Sequence, residues 1–353
     1  MKLPFSRKHI PLLATVAVFV VLYAVGAMLY YDENFLSLQV FVNLFGDNSF
    51  LGIVAVGMTF VILSGGIDLS VGSVVALSSI MMALLMDWWM KPLLLGDLIG
   101  LRPDVALLVP VAPAVTFLLA SVVVLAAGTA FGLGMGCVVR WFGLPPFIVT
   151  LAGMFLARGL GFMLHIESVP IKNAFYSAAT KWGLAVPGAR VPATAFVFLA
   201  ILAAGIWLST RTVFGRNVYA LGGSEEAALL MGVPAGRTKV LVYGLSGFCS
   251  ALAGIVFTLY SSGGDPSACV GMELDAIAAV VVGGTLLTGG VGYVAGTLVG
   301  VLIFGIIQTG INFQGLNSWW TRVAIGFLLF LFILLQKLFA RPGQREACSS
   351  ADD

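Results

Sequence analysis

The sequence predicts an all-α polytopic membrane protein of about ten transmembrane helices, some of them broken or re-entrant. Three observations carry that expectation. Of 353 residues, 60% are hydrophobic and only 10% are charged, whereas soluble domains carry about 25% charged residues. Apolar runs of roughly 20 residues, long enough to cross a hydrocarbon core, recur from end to end, and the mean hydropathy is +1.06. The 43 glycines suit close helix approach and broken helices within a bilayer. The runs do not alternate, which argues against a β-barrel.

The elements follow in order. A first span is expected near Ile10–Tyr30. It follows the basic residues Lys2, Arg7 and Lys8 and lacks a small-residue cleavage site, so it reads as a span rather than a cleaved signal. The second and third spans, Leu44–Leu63 and Leu69–Trp89, flank a polar, glycine-containing run. The fourth run, Val105–Val139, fits one tilted helix or a helix plus a re-entrant piece. The fifth, Phe147–Leu164, is followed by a polar loop, His165–Val191. The sixth, Pro192–Ser209, and the seventh, Val240–Tyr260, enclose a polar interruption at Arg211–Lys239. Glycine-broken segments, Leu274–Leu287 and Val291–Gly310, form the eighth and ninth, and Trp319–Phe339 the tenth. A single transmembrane domain over residues 1–342 is expected, with a polar, frayed tail at 343–353.

Lysine and arginine set the orientation. With the N-terminus inside, the inside segments hold Lys2, Arg7, Lys8, Arg140, Arg211, Arg216, Arg237, Lys239, Lys337, Arg341 and Arg345. The outside loops hold only Lys91, Arg102, Lys172, Lys181 and Arg190. Both termini are therefore expected in the cytoplasm. Trp88, Trp89, Trp319 and Trp320 then fall at outer boundaries, with Arg322 just within and able to snorkel outward.

Several function classes are excluded. A net charge of +2 gives no nucleic-acid surface. The four cysteines, Cys137, Cys249, Cys269 and Cys348, show no paired spacing; small-hydrophobe packing explains those in or beside apolar segments. His9 and His165 are too few for a histidine-based metal or catalytic site, and no cofactor is implied. No G-x-x-x-x-G-K-[ST] loop occurs; the glycine-rich run Gly283–Gly292 lacks a lysine and reads as tight packing with a sharp turn. Such a chain can form a passage but has no engine of its own. Uphill transport would need ion coupling or a partner ATPase. Ion coupling leaves carboxylates within the membrane. Asp68 is the main candidate, with Glu273, Asp275 and Asp47 near span ends, a thin set for a proton relay.

Candidate passage residues are Asn48, Ser64, Asp68, Ser70, Arg158, Asp275, Gln308 and Asn312. In Ser64–Gly72 two glycines break the helix and three side chains offer oxygens. Asp68 reads either as a cap on the next helix or as part of a polar element lining a passage. Arg158, inside a span, costs at least about 2.5 kcal/mol; it pairs with a carboxylate, with freed carbonyls, or with solute. Gln308, Asn312 and Asn317 suit either a sugar or a neighbouring helix.

Within Arg211–Lys239, Ser224 is a good N-cap for a helix of about seven residues that opens with Glu225 and Glu226. Gly232 and Pro234 end it. So short a helix is marginal alone. Its apolar residues Ala228, Leu229 and Met231 need a surface: the protein's own inner face, or a groove on a soluble partner.

Four segments carry a resemblance: Gly57-Met-Thr-Phe-Val-Ile-Leu-Ser-Gly-Gly-Ile-Asp-Leu-Ser-Val-Gly-Ser73, Pro146-Phe-Ile-Val-Thr-Leu-Ala-Gly-Met154, Asn217-Val-Tyr-Ala-Leu-Gly-Gly223 and Glu273-Leu-Asp-Ala-Ile-Ala-Ala-Val-Val-Val-Gly-Gly284. With them the chain closely resembles the permease subunits of bacterial monosaccharide ABC importers, the ribose, xylose and arabinose group, over nearly its whole length. The details Asp47-Asn-Ser-Phe-Leu-Gly-Ile, Leu286-Leu-Thr-Gly-Gly-Val-Gly292 and Ile311-Asn-Phe-Gln-Gly-Leu-Asn-Ser-Trp-Trp-Thr321 resemble the galactofuranose branch. The resemblance implies a type II-like permease fold in the inner membrane, paired with a second, homologous permease as a heterodimer or a homodimer. It implies two cytoplasmic ATPase subunits that hydrolyse the ATP, and a periplasmic sugar-binding protein. It makes Gly222–Gly232 the coupling helix, with Arg216, Tyr219, Ser224, Glu225, Glu226, Leu229 and Met231 as ATPase-coupling residues. Glu225-Glu226 is more acidic than the relatives suggest, and the Leu95–Asp104 loop is longer. The alternatives are a ribose- or other pentose- or hexose-specific permease, and a stand-alone secondary transporter, which would want a dense set of membrane carboxylates and an inverted repeat.

Overall fold

The computed structural model describes residues 10–31, 34–90, 93–94, 108–109, 113–172, 174–317 and 319–339. Lys2, Arg7, Lys8, His9, Lys91, Arg102, Arg341, Arg345, Cys348, the whole Leu95–Asp104 loop and the 343–353 tail lie outside the described residues.

The described chain is all-helical apart from short strand pairs. In order the helices are α1 (Ile10–Leu29), α2 (Leu38–Asp47), α3 (Ser49–Leu63), α4 (Val71–Met90), α5 (Pro113–Phe142), α6 (Pro146–Leu164), α7 (Ala174–Lys181), α8 (Ala193–Arg211), α9 (Val213–Gly223), α10 (Glu225–Leu230), α11 (Ala235–Ser261), α12 (Met272–Val282), α13 (Val294–Phe313) and α14 (Trp319–Phe339). Six of them, α4, α5, α6, α8, α11 and α13, are long and apolar enough to cross a membrane. The pair α2–α3, bent by 54°, makes a seventh, and α1 and α14 add shorter apolar stretches. A polytopic membrane protein results, as the composition requires.

Helix α3 lies at the centre. Every residue from Leu51 to Leu63 is buried, and a helix apolar all round belongs inside a bundle. Helices α8, α11, α12 and α13 surround it. Beside it, α5 and α11 run backbone to backbone. A Cβ at Gly132 would lie 2.2 Å from the Tyr243 carbonyl oxygen, and one at Gly247 would lie 2.3 Å from that of Gly128. Only small residues permit that approach, so much of the glycine content is spent on helix contacts.

Several expected boundaries move. The second span starts at Leu38 and breaks at Asn48, the residue between α2 and α3, whose Nδ2 donates to the Leu44 carbonyl. The fourth run, where described, is one helix of 30 residues opening on Pro113, a proline at a helix start where its missing N–H costs nothing. The seventh span begins at Ala235, after Pro234, so the last basic residues of the interruption belong to its first turns. The eighth is a half-span: α12 has 11 residues, about 16 Å of helix against a hydrocarbon core of ~30 Å.

The loop at 165–191 is also more ordered than expected. It holds β3 (Val169–Pro170), which pairs with β6 (Gly263–Gly264), then α7. An antiparallel hairpin of β4 (Gly183–Val186) and β5 (Ala189–Pro192) follows. The hairpin turns on Pro187–Gly188, with Gly188 at φ +85, the Pro-Gly signature of a type II turn. A further pair, β1 (Leu93–Leu94) and β2 (Leu108–Val109), lies between α4 and α5.

Candidate functional site

At one end of the bundle the N-terminal turns of α3 and α14 meet the last turns of α13 and the start of α12. They enclose a cavity of about 260 Å³ lined by Asp47, Asn48, Asp275, Gln308, Trp319 and Arg322, among others. Of the sequence candidates, Asn48, Asp275 and Gln308 are brought together here. Asn312, one turn beyond Gln308, is exposed and does not line the cavity. The wall is rigid on one side. A guanidinium nitrogen of Arg322 donates to the Val270 carbonyl at 2.9 Å, while its central carbon sits 4.9 Å from the Trp319 ring centroid. The hydrogen bond ties α14 to the segment preceding α12, and the cation–π contact within α14 holds the guanidinium in place. Carboxylates, two amides, a guanidinium and an indole face together suit a small polyhydroxylated solute, whose hydroxyls need paired donors and acceptors. The volume lies below the ~300–1,000 Å³ of drug-sized ligand sites.

The break at Ser64–Ser70 lies elsewhere. Asp68 is 1% exposed. One carboxylate oxygen accepts from the Ser70 N–H at 2.9 Å and from its hydroxyl at 2.6 Å. The other accepts from the Ser246 hydroxyl of α11 at 2.7 Å. Asp68 thus braces the start of α4 and ties it to α11. Ser64, half-buried, donates to the Val61 carbonyl at 2.8 Å, closing the last turn of α3. Arg158 donates to the carbonyls of Pro266 and Ala268, at 2.8 and 2.7 Å. Its partners are therefore freed backbone carbonyls, ahead of α12.

The opposite end of the bundle carries the polar interruption. It is two helices rather than one: α9, unforeseen in the sequence, and α10. Thr212 caps α9 by accepting from Gly215 N–H, and Ser224 caps α10 by accepting from Ala227 N–H at 3.3 Å. Gly232, at φ +77, ends the turn. Ala228 is fully buried against the protein, whereas Leu229, Leu230 and Met231 are 55%, 90% and 71% exposed. Of the three residues expected to seek a surface, Ala228 has found one within the chain, and Leu230 joins the exposed set. Glu225 pairs with Lys239 of α11 at 2.6 Å, so its charge is answered within the chain. Glu226 and Arg216 are exposed. Tyr219 faces inward: its hydroxyl donates to the Gly292 carbonyl at 2.8 Å. Burial pushes that hydroxyl above the ordinary tyrosine range, so it stays a donor.

Behind α10 lies a junction of glycines. The Gly290 N–H donates to the Leu63 carbonyl at 2.9 Å. A Cβ at Gly222 would lie 1.8 Å from that same oxygen. The ends of α3 and α9 and the 283–292 loop therefore meet backbone to backbone. This is the packing and sharp turn expected of the glycine-rich run.

A family model described as branched-chain amino acid transport system / permease component matches residues 40–333. The chain belongs to this family. Among similar proteins, the inner membrane ABC transporter permease protein YjfF of Escherichia coli is 47% identical over 333 residues, covering 94% of this chain and 93% of that one. The ribose import permease protein RbsC of Haemophilus influenzae is 36% identical, covering 89% and 90%. The fructose import permease protein FruG of Bifidobacterium longum is 33% identical, covering 96% and 94%. No solved structure matches the chain.

Two features of these ends of the permease are not legible in local sequence pattern. Arg322 and Trp319 read as boundary residues, yet they form a cavity wall. The exposure of Leu230 is not legible, because helical periodicity alone does not say which face of a six-residue helix the protein covers. The glycine spacing Gly128, Gly132, Gly136, four residues apart, was a legible signal of close packing.

Proposed function

We propose that the permease is the membrane-spanning subunit of an ATP-driven importer of a monosaccharide in a bacterial inner membrane. It works with a second, similar permease subunit, as a heterodimer or homodimer, with cytoplasmic ATPase subunits and with a periplasmic sugar-binding protein. Both termini and α10 face the cytoplasm, by the distribution of basic residues. The observation that carries the reading is the exposed apolar row Leu229, Leu230 and Met231 on a capped helix whose other side is seated on the protein. A soluble partner with an apolar groove fits it, as in helix-in-groove recognition. ATPase closure would then bias the bundle between two arrangements, each opening a different end. The cavity beside Asp275, Gln308 and Trp319 would be the entrance, with Asn48 at its edge. Asn312 would lie outside it.

The substrate favoured by the sequence details is galactofuranose. Ribose is the second reading, since relatives 36% identical are named ribose import permeases. The test is uptake of a labelled sugar panel by the complete transporter in liposomes, with the binding protein's own specificity measured beside it. Uptake of galactofuranose over ribose is the expected result. Preference for ribose would move the assignment to the second reading, and uptake without ATP would refute the importer reading.

A further inference from the structure

The Leu63–Ser70 segment joins the α9–α10 end of the bundle to the long helices beside it. At its start, the Leu63 carbonyl accepts from Gly290 N–H and lies against Gly222, the penultimate residue of α9. Gly65 sits against Gly289. In its middle, the Ile67 carbonyl accepts from the Thr150 hydroxyl of α6 at 3.2 Å. At its end, Asp68 holds Ser70 and Ser246. This eight-residue segment is thereby in contact with α9, the 283–292 loop, α6, α4 and α11. Beside it, the buried Tyr243 hydroxyl has no hydrogen-bond partner among the described residues, and it packs where a Cβ on Gly66 would lie, 2.4 Å away. A buried hydroxyl without a partner is costly. This one is a spare donor within reach of the same backbone, which suits a segment with two arrangements.

We propose that Leu63–Ser70 is the mechanical link that carries movement of the α9–α10 end into α4 and α11, with Asp68 as its positioning residue. The proposal rests on the reading of α10 as the ATPase contact. Backbone-to-backbone contact at Gly222, Leu63 and Gly290 leaves no flexible side chain to absorb a displacement, so a shift of α9 must move the start of the break. The carboxylate then decides whether that shift reaches α4 and α11 together. It accepts from both, and hydroxyl donors can let go and re-form. A cap serving α4 alone would need no bond to Ser246.

The test uses the complete transporter in liposomes and reads sugar imported per ATP hydrolysed, with binding protein present. Ser246→Ala removes only the bond across to α11. Asp68→Asn keeps the shape and the oxygen that accepts from Ser70, while its amide nitrogen, a donor only, must donate to the Ser246 hydroxyl instead of accepting from it. Ser246→Ala should lower sugar per ATP about tenfold, the order expected for losing a buried hydrogen bond to a charge, while the ATPases stay bound. Asp68→Asn should fall between it and wild type. An unchanged ratio in Ser246→Ala would overturn the link. So would a parallel fall of uptake and hydrolysis that tracks the amount of folded complex, because that is what a purely structural bond predicts. Leu230→Asp separates this from the docking reading. If that variant still binds ATPases and transports, docking at α10 is wrong and the link has no input. If it fails to bind them while Ser246→Ala leaves the ratio intact, only the link falls.

Discussion

Alanine at Gly222 places a methyl carbon 1.8 Å from the Leu63 carbonyl oxygen and 2.6 Å from the Gly290 nitrogen. Both atoms are backbone, and they are joined to each other by a 2.9 Å hydrogen bond. No rotamer change can relieve the clash. The junction must open, which costs that hydrogen bond, about 0.5–1.5 kcal/mol, and an overpacking term of about 1–3 kcal/mol. Replacing a helical glycine returns up to about 1 kcal/mol of helix propensity. The net is a loss of roughly 0.5–4.5 kcal/mol. Gly223, the next residue, is exposed and has nothing within 4 Å of its would-be Cβ. Gly223→Ala should therefore be neutral or stabilising. The assay is thermal unfolding of the two purified variants in the same detergent, followed by uptake. Gly222→Ala should melt below wild type and transport poorly, and Gly223→Ala should do neither. Equal melting of the two variants would refute the claim that α3, α9 and the 283–292 loop meet without room for a methyl group.

Three further outcomes are expected. Leu230→Asp should leave insertion intact but cut ATPase co-purification tenfold or more, since burying a leucine is worth about 1.5–3 kcal/mol; undiminished co-purification argues against the apolar face. Arg322→Lys keeps the charge but loses the planar fork that serves both Trp319 and the Val270 carbonyl, and should raise the uptake KM roughly three- to tenfold. Equal KM values would reduce Arg322 to a boundary residue. Gln308→Ala should likewise raise KM for the preferred sugar severalfold, roughly one hydrogen bond's worth, whereas Asn312→Ala, outside the cavity, should not; equal effects would sink the cavity as the entrance.

Much of this architecture was legible in the chain. Span-length apolar runs can do little else than cross a bilayer, so α4, α6, α8, α13 and α14 fall close to where the runs are. Ser224 and Gly232 delimit α10 because capping chemistry is local: an oxygen for a free N–H at the start, a glycine for the left-handed turn at the end. Tertiary structure decided what depends on neighbours distant in sequence. Helix α9 is amphipathic and short, and without the glycine junction it reads as loop. Whether Asp68 lines a passage or braces a helix turned on Ser246, 178 residues away. That Arg158 meets carbonyls rather than a carboxylate turned on the extended segment before α12. Asn48, Asp275 and Gln308 were candidates on separate spans. Only the packing of α12 and α13 against the bend at Asn48 brings those three, without Asn312, to one cavity, because a side chain's partner across a bundle is set by helix rotation and tilt, which no local pattern in the sequence encodes.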